Sequence, residues 1–472
     1  MMTWSYAPAP ESPETARLQP SYRMFVDGKF TDGGGEPLRT VNPATEEPLA
    51  EVSTASSADV DTAIRAARRA YDKVWSRIPV AERAKYLFRI ARLVQERSRE
   101  LAVLESLNTG MPIVQSRDVA VPAAAAHFFH YAGWADKLGY AGYGPDPRPL
   151  GVAGQLVGSR NALVLAARSI APALAGGNTV VLSPAATTPL TALVLAEICQ
   201  QADLPPGVLN VLPGTGEVGA ALVKHDNLDK VAFTGGAEVG KQIQRTLAGT
   251  GRSLTLSLGG SAATVVFDDA PLDQAVDGIV SALCSTAWPG SRLLAQEPIA
   301  DHLLDTLRTR LAALRVGAPL DKNTDVGAVS SAHRLQRIRA LADSAEADGA
   351  QRWTSPSALP AQGFFFAPTM FSEVSQMMRI AREELLGPLL PVLTFRTPDE
   401  AVDKANSTPA GLSASIWTGK GSRLVWAAQR IRAGVVWANT VHRFDPAAPF
   451  GGYRESALGR ECGPVGLAEY LD

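Results

Sequence analysis

Cysteine is scarce in this sequence, which contains only Cys199, Cys284 and Cys462 among its 472 residues. Three cysteines this far apart exclude a disulfide framework and are typical of proteins from a reducing compartment. The 6 histidines do not cluster with cysteines at the spacing of zinc ligands. The sequence therefore predicts neither disulfide bonds nor a metal site.

An excess of charge of one sign is also absent, because 45 basic residues face 47 acidic residues and the formal net charge is −2. This balance excludes a dominant nucleic-acid footprint and a polybasic membrane anchor. No apolar run reaches transmembrane length, and Arg168 interrupts one of the longest, residues 161–174. The N-terminus lacks the basic and apolar segments of a signal peptide. We therefore expect a cytoplasmic protein.

Apolar residues make up 46% of the chain and charged residues 19%, which is enough to build more than one hydrophobic core. Short apolar stretches alternate with helical patterns from Gly151 onwards, as in parallel sheets with crossover helices. A second alternation of this kind starts near residue 254. Residues up to about Pro20 are rich in proline without periodicity and are predicted to form a flexible tail. The sequence thus predicts an α/β protein with two lobes.

Two glycine-rich loops follow predicted strands and open predicted helices. The first, residues 214–219 (GTGEVG), matches the G-x-G-x-x-G pattern of dinucleotide-binding turns, but no carboxylate ends the following strand. A tight turn without a ligand explains this loop as well as nucleotide binding does. The second, residues 233–240 (FTGGAEVG), would present free backbone N–H groups to a phosphate. Each loop permits nucleotide binding without establishing it.

Nine short stretches of the sequence point to a known family: residues 42–45 (NPAT), 151–155 (GVAGQ), 170–174 (IAPAL), 177–182 (GNTVVL), 204–208 (LPPGV), 233–240 (FTGGAEVG), 363–369 (GFFFAPT), 383–388 (EELLGP) and 449–453 (PFGGY). Together they resemble the aldehyde dehydrogenase superfamily over about residues 25–470. The resemblance implies an α/β fold with two Rossmann-like lobes, one for a nicotinamide dinucleotide and one for the chemistry. It further implies a cysteine thiolate that attacks the aldehyde, an asparagine and a backbone N–H that hold the oxyanion, and a glutamate that activates water.

The resemblance also implies how the chain is divided. A flexible tail covers residues 1–20, a dinucleotide-binding-like lobe covers residues 21–130 and 150–254, and a catalytic-like lobe covers residues 255–440. The family's β flap, which builds oligomers, is shortened here to residues 131–149. The C-terminal segment, residues 441–472, lacks the usual final strand. The reduced flap argues against the family's usual tetramer, whereas the helix that resembles its dimer helix is present.

Three positions where the resemblance places reacting groups hold other residues. Arg160 stands at the position of the oxyanion asparagine, with Asn161 one residue away, and Ser257 stands at the position of the general-base glutamate. A serine hydroxyl has no useful basicity near neutral pH. Ala287 stands at the position of the nucleophile, in a segment about four residues shorter than the family's. Cys284 is a weak candidate to replace the nucleophile, since an apolar-flanked cysteine is usually an inert core residue.

The positions that hold the cofactor in the family are changed as well. Ser183 stands where the resemblance places a lysine of the ribose site, and Ala186 stands where it places a glutamate. A pocket without its hydrogen-bond partners loses selectivity for its ligand, so we expect no bound cofactor. Glu384 remains at another ribose position, although it could equally cap a helix or pair with a neighbouring arginine. Residual NAD(P) binding would rest on Glu384 and on three glycines of the second loop, Gly235, Gly236 and Gly240.

These substitutions favour a non-catalytic, aldehyde dehydrogenase-like pseudoenzyme that serves as structural or regulatory partner of an active dehydrogenase. The chain resembles the truncated, catalytically silent second unit of the tandem branch of the superfamily. Its expected partner is such an active enzyme, a second copy of itself, or both. Two alternatives remain: a divergent NAD(P)-dependent aldehyde oxidoreductase with Cys284 as nucleophile, and a nucleotide- or ligand-binding module without redox chemistry.

Overall fold

Strands and helices alternate along the computed structural model of the chain, which describes residues 7–140, 146–260, 262–285 and 291–472. The strands are β1 (Ser21–Tyr22), β2 (Met24–Val26), β3 (Lys29–Thr31), β4 (Leu38–Val41), β5 (Pro48–Val52), β6 (Val152–Val157), β7 (Thr179–Pro184), β8 (Leu209–Val211), β9 (Lys230–Gly235), β10 (Ser253–Leu258), β11 (Ala262–Val266), β12 (Ser291–Gln296), β13 (Gln351–Thr354), β14 (Thr369–Ser372), β15 (Leu389–Phe395), β16 (Ser413–Trp417), β17 (Val435–Ala438) and β18 (Ala457–Leu458). The helices are α1 (Ser57–Lys73), α2 (Val80–Glu96), α3 (Ser98–Thr109), α4 (Ile113–Gln115), α5 (Val121–Ala132), α6 (Ala162–Ala175), α7 (Leu190–Gln201), α8 (Gly216–Lys224), α9 (Ala237–Leu247), α10 (Leu272–Cys284), α11 (Glu297–Ala312), α12 (Ala332–Ala347), α13 (Arg379–Arg382), α14 (Pro398–Ala405), α15 (Gly421–Ala428) and α16 (Gly463–Ala468). The predicted α/β fold class is confirmed.

The chain divides into two compact units. The larger unit comprises Glu11–Ser257, Asp445–Phe450 and Leu458–Asp472, and the smaller unit comprises Leu258–Phe444, Gly451–Ala457 and the described residues up to Pro10. The larger unit contains an eight-stranded sheet in the order β18-β10-β9-β6-β7-β8-β2-β3 and a three-stranded sheet in the order β1-β5-β4. The smaller unit contains a seven-stranded sheet in the order β13-β14-β15-β12-β11-β16-β17. The finer division inferred from the resemblance stays a prediction.

The centre of the larger sheet is parallel, because β6 pairs in parallel with both β7 and β9. All six residues of β7 are buried, as are all residues of α6. Parallel strands covered by helices on both faces become continuously apolar, which is why these stretches were recognisable in the sequence. Strand β6 therefore lies in the middle of the sheet, and the turn that follows it emerges at the sheet's carboxyl edge.

The smaller sheet follows the same rule. Strand β12 pairs in parallel with β11 and β15, and β11 pairs in parallel with β16. One core cluster contains Phe267 and Phe395, whose rings meet edge to face with centroids 5.4 Å apart. A separate cluster packs apolar residues of α10 and α11, including Ile279 and Leu307, with apolar residues of β12. Helices therefore add a hydrophobic layer to this sheet as well.

Two helix ends follow from local chemistry. Ser56 and Asp59 form a capping box at the start of α1. Helix α3 ends at Thr109, and Gly110 follows with a φ of 82°, the left-handed conformation that glycine adopts at low cost. The end of α3 therefore follows from the glycine at residue 110.

The N-terminal residues and the predicted flap are two segments for which the sequence prediction is not confirmed. The predicted flexible tail differs in its described part: Pro13–Ala16 forms a 3₁₀ helix with Ala16 buried, and the Ala9 N–H donates to Asp321 at 3.2 Å. Side-chain burial and these contacts hold residues that composition alone marks as loose. The predicted flap includes residues 141–145, which lie outside the described residues, so its shortening stays a prediction. Among the described residues, no helix has both the length and the apolarity needed to cross a membrane.

Candidate active site

The carboxyl edge of the larger sheet gathers the turns that follow three parallel strands. In the register of β6, Leu156 lies opposite Ser183 of β7, and Val157 lies opposite Thr234 of β9. The three strands therefore end at nearly the same level along the strand direction, and the turns that follow them are neighbours. Open α/β sheets bind ligands at such carboxyl edges. This edge is the candidate site of the larger unit.

The turn after β6 carries Arg160 and Asn161. Arg160 is half-buried, whereas Asn161 is buried in the left-handed conformation, with a φ of 54°, and helix α6 starts directly after it. The Oδ1 atom of Asn161 is buried without a hydrogen-bond partner among the described residues. The Thr188 hydroxyl donates to the Ser159 carbonyl at 3.4 Å, so this turn contacts the turn after β7. The structure thus places Arg160 at the candidate edge.

Ser183 and Ala186 lie at the same edge. Ser183 is the buried next-to-last residue of β7, and Ala186 is half-buried in the following turn. Neither side chain is long enough to reach across the edge of the sheet to a ribose. The structure therefore brings both predicted positions to the candidate edge, with only the Ser183 hydroxyl as a polar group.

The second glycine loop completes this edge. Gly235 ends β9, and Gly236 is the N-cap of α9 without any side-chain cap bond. A side chain at Gly235 would collide with the ring of Phe233, which accounts for glycine there. Gly240 is buried in α9. The first N–H groups of α9 have no side-chain cap, and such N–H groups suit a phosphate.

Ser257 is the next-to-last residue of β10, the neighbour of β9 in the sheet, and it is buried. Its hydroxyl can donate or accept a hydrogen bond, but it cannot hold a proton taken from water at neutral pH. The base predicted to be missing at this position is thus replaced by a neutral group.

Glu384 lies in the smaller unit after the short helix α13. A side chain at Gly259 would collide with the Glu384 carboxylate, so this carboxylate lies directly over the Gly259 backbone. A cavity of about 80 Å³ lies beside it, between α12 and the segment that leads to Leu386. Gly259 therefore leaves the space that the Glu384 side chain occupies.

Three cysteine thiols are present and all are buried. Cys284 is the last residue of α10, and burial, followed by the charge of Asp325, raises its pKa to about 12. Burial likewise raises the pKa of Cys462 to about 12 and that of Cys199 further. Ala287 lies outside the described residues, so its predicted place is not tested. Among the described residues, no group of three or more His, Cys, Asp or Glu side chains is arranged to hold a metal ion.

Glu105 was missed by the sequence reasoning. It is fully buried in α3, and its carboxylate accepts a hydrogen bond from the Thr191 hydroxyl at 2.9 Å. Burial raises its pKa to about 7, against the lowering effect of the Thr191 hydroxyl and of the backbone N–H groups at the start of α6. The sequence does contain one signal for this residue, because Glu105 lies one turn after Leu101 on an apolar face of the helix. Acidic residues are rarely buried without partners, so a carboxylate on such a face indicates a polar partner in the core.

Two buried cations were missed as well. Arg168 pairs with Glu461 at 3.0 Å and lies over the Phe450 ring, with its Cζ 5.5 Å from the centroid. Lys230 donates to the Thr255 hydroxyl at 2.7 Å and lies 3.9 Å from Glu469. Both cations contact the C-terminal part of the larger unit. Arg168 had been recognised in the sequence only as an interruption of an apolar run.

Comparisons with known proteins add a second line of observation. A family model described as "Aldehyde dehydrogenase family" matches residues 30–472. Retinal dehydrogenase 2 of Homo sapiens is 38% identical over 481 residues, covering 97% of this chain and 92% of that protein. The crystal structure of an NAD-dependent aldehyde dehydrogenase from Sinorhizobium meliloti matches with a TM-score of 0.92 and 37% identity, over 97% of this chain and 94% of that one. An NAD+ complex of an aldehyde dehydrogenase from Bacillus cereus matches with a TM-score of 0.94 and 34% identity, over 99% and 98% of the two chains.

These matches correct three predictions. The expectation that the chain is not an enzyme is wrong, because the proteins similar to it over almost its whole length are named as dehydrogenases. The description as a degenerate pseudoenzyme is wrong on the same finding. The expectation of no cofactor is contradicted by the similar solved chain that is an NAD+ complex. Those expectations rest on substituted side chains at single positions, whereas the similarity to named dehydrogenases extends over nearly the whole chain. The expected two-lobed dehydrogenase-like fold is confirmed.

Proposed function

The chain belongs to the aldehyde dehydrogenase family, and on that premise we propose that it oxidises an aldehyde to a carboxylic acid with NAD+ or NADP+ as hydride acceptor. The observation that carries this proposal is the similarity, over 99% of the chain, to a solved NAD+ complex. The proposal replaces the non-catalytic role that the sequence favoured and takes up its first alternative. It leaves the aldehyde unspecified beyond its class.

The carboxyl edge of the larger sheet fits a dinucleotide. Gly236 opens α9 without a side-chain cap, so the first N–H groups of this helix are available to a pyrophosphate. Ser183 is too short to replace the ribose lysine of the family, so we assign the ribose contact to Glu384, as the family resemblance implies. A bound nicotinamide supplies the hydride acceptor. With Ala186 in place of a longer polar side chain, we expect weaker discrimination between NAD+ and NADP+.

Cys284 is the nucleophile in this proposal. It ends α10, which leads directly into the segment where the family resemblance places the nucleophile, whereas Cys199 and Cys462 belong to the larger unit. Its pKa of about 12 means that only a minute fraction is thiolate at neutral pH. A base must therefore remove the thiol proton during attack, and we expect turnover to increase with pH.

Arg160, Ser257 and Ala287 occupy the positions of the family's oxyanion donor, general base and nucleophile in this proposal. A guanidinium donates several hydrogen bonds, so Arg160 can stabilise a developing oxyanion in place of an amide. Ser257 can orient a water molecule without deprotonating it. Hydrolysis of an acyl intermediate would then depend on hydroxide, which gives a second reason for turnover that increases with pH.

The test is reduction of NAD+ and of NADP+ by the purified protein with aliphatic, aromatic and carboxylate-bearing aldehydes between pH 7 and 10. Turnover that Cys284→Ala abolishes and that Cys199→Ala and Cys462→Ala leave in place supports the proposal. Turnover that persists in Cys284→Ala removes this thiol from the reaction. Absence of turnover with every aldehyde and both cofactors, in protein that binds NAD+, overturns the oxidoreductase function.

We also propose that the chain forms a dimer with a second copy of itself. Helix α9 buries Ile243 and Leu247 on one face and leaves Val239 exposed on another. Light scattering on the purified protein tests this, and Val239→Glu should then shift the mass to that of a monomer. Association only with a co-expressed active dehydrogenase would instead favour the partner role predicted from the sequence. Cytoplasmic localisation stays a prediction.

A further inference from the structure

Glu105 joins the beginnings of two helices at the carboxyl edge. Its carboxylate accepts a hydrogen bond from the hydroxyl of Thr191, in the first turn of α7, at 2.9 Å. The backbone N–H of Leu163, in the first turn of α6, donates to the same oxygen at the longer distance of 3.4 Å. The N-cap residue of α6, Asn161, makes no side-chain cap bond. The cap of α6 therefore comes from another helix, α3.

Asn108, one turn further along α3, does the same for α7. Its Oδ1 accepts the backbone N–H of Leu190 at 3.2 Å, and its Nδ2 donates to the Thr187 carbonyl at 3.2 Å. Pro189, at the N-cap of α7, makes no side-chain cap bond. Both helices that follow the central strands thus take their N-terminal partners from α3, where orphan N–H groups need acceptors.

The two turns held in this way are those of the candidate site. Helix α6 follows the turn that carries Arg160, and α7 follows the turn that carries Ala186. The Thr188 hydroxyl joins the two turns through the Ser159 carbonyl at 3.4 Å. A displacement of either helix start would move Arg160 relative to the ribose positions. Glu105 contacts both helix starts and touches neither the proposed aldehyde site nor the cofactor.

The groups that face the Glu105 carboxylate favour its ionised form. They are the Thr191 hydroxyl from α7 and the backbone N–H groups of Ala162 and Leu163 from α6, and all of them donate. No charged side chain contributes to the shift of its pKa. On α3 itself, Glu100 pairs with Arg97 at 2.6 Å. Burial opposes ionisation and raises the pKa of Glu105 to about 7, so the carboxyl changes its charge within the working pH range.

We propose that Glu105 is a positioning residue for the aldehyde oxidation described above: its ionised carboxylate holds the turns of Arg160 and Ala186 in their productive arrangement. Protonation replaces an acceptor with an O–H donor that faces other donors, and the first turns of α6 and α7 then loosen. The kinetic part of this inference, a change in kcat, rests on the proposed function. The structural part, in which Glu105 holds the starts of α6 and α7, does not depend on the proposed function.

Hydrogen–deuterium exchange measures how firmly the starts of α6 and α7 are held, which is the structural part of the inference. We expect Glu105→Gln to accelerate exchange in peptides that cover residues 158–166 and 186–194, because the neutral amide is a poorer acceptor. Glu100→Gln is the matched control, since it makes the same change on the same helix away from α6. Thr191→Val keeps the carboxylate and removes one donor, so it carries the test if Glu105→Gln does not fold.

The dependence of kcat on pH measures the kinetic part of the inference. In the unmodified protein, protonation of Glu105 should add a further fall in kcat of about tenfold per pH unit below pH 7 to the dependence expected from the Cys284 thiol and hydroxide, with little change in the KM for NAD+. Glu105→Gln should lack this additional ionisation, so its kcat should be low and keep only the pH dependence that the Cys284 thiol and hydroxide impose. Thr191→Val should move the ionisation to higher pH, because it removes a donor that stabilises the carboxylate. A purely structural role would lower the amount of folded enzyme without moving an ionisation.

The outcomes separate this inference from the proposed function. Unchanged exchange in both Glu105→Gln and Thr191→Val overturns the inference, whatever the activity. Accelerated exchange with an unmoved pH profile overturns the positioning role. If the unmodified protein turns over no aldehyde, the proposed function fails, and the exchange experiment alone decides whether Glu105 holds the two turns.

Discussion

Arg168 and Glu461 form a buried ion pair in the larger unit, with Nη2 of the arginine 3.0 Å from Oε2 of the glutamate. The two side chains are 5% and 15% exposed, so neither charge is well hydrated if its partner is removed. Breaking a buried pair on one side leaves an uncompensated charge, which costs more than the pair contributes. The pair therefore links α6 to the C-terminal part of this unit.

We expect Arg168→Met to lower the free energy of unfolding by about 3 to 5 kcal/mol. Denaturant titration measures this change. Arg65→Met is the control, because the Arg65–Asp61 pair is largely exposed and should cost less than about 1 kcal/mol. Equal losses in the two variants would contradict the importance assigned to the buried pair.

Lys230 should make stability depend on alkaline pH. Burial, opposed by the charge of Glu469, lowers the pKa of Lys230 to about 8 from 10.5. Between these values the unfolded chain binds more protons than the folded chain, so the contribution of this group to stability increases with pH. We therefore expect the stability of the unmodified protein, relative to that of Lys230→Met, to increase by up to about 3 kcal/mol between pH 8 and 10.5. Unfolding titrations at several pH values, with the exposed Lys85→Met as control, measure it. A stability difference independent of pH would be the contrary result.

Gly259→Ala should weaken cofactor binding without loss of stability. The added methyl group would collide with the end of the Glu384 side chain, which is flexible enough to move away. The backbone at Gly259 is not in the left-handed region, so alanine is tolerated there. We expect a severalfold higher Kd for NAD+ in calorimetry and an unchanged unfolding midpoint. Gly421→Ala, which adds a methyl group in open space, is the control. An unchanged Kd for NAD+ would contradict the assignment of Glu384 to the ribose.

The three buried thiols should react slowly with an aromatic disulfide reagent in the native protein and completely after unfolding. Burial raises the pKa of Cys284 and of Cys462 to about 12, so their thiolate fractions should increase about tenfold per pH unit up to that value. Stopped-flow absorbance at pH 7 and pH 9 measures this dependence. A thiol that reacts rapidly at pH 7 would show that one cysteine is exposed and activated in solution.

Local signals in the sequence predicted much of the fold. The short apolar stretches that alternate with helical patterns from Gly151 onwards include the strands β6 and β7. These features depend on residues that are close together in the chain. The role of Asn108 as the partner of α7 was not predictable, because Leu190 lies 82 residues further along.

The candidate site was only partly predictable. The resemblance assigned Arg160, Ser183 and Gly235 to site positions, whereas it is the strand register that brings their turns to one edge. The resemblance also led to the wrong expectation of an inactive protein, because each position was judged by its side chain alone. Proteins that are similar to this one over nearly the whole chain are named as dehydrogenases, and this finding corrects that expectation.

The sequence alone determined the α/β class and the family, since hydrophobic periodicity and short motifs are local properties. Only the tertiary structure decided that the carboxylate of Glu105 meets Thr191, 86 residues away, in a buried place that donors alone surround. A carboxyl group acquires its pKa and its partners from the dielectric and the dipoles around it, and these exist only once α3, α6 and α7 have packed.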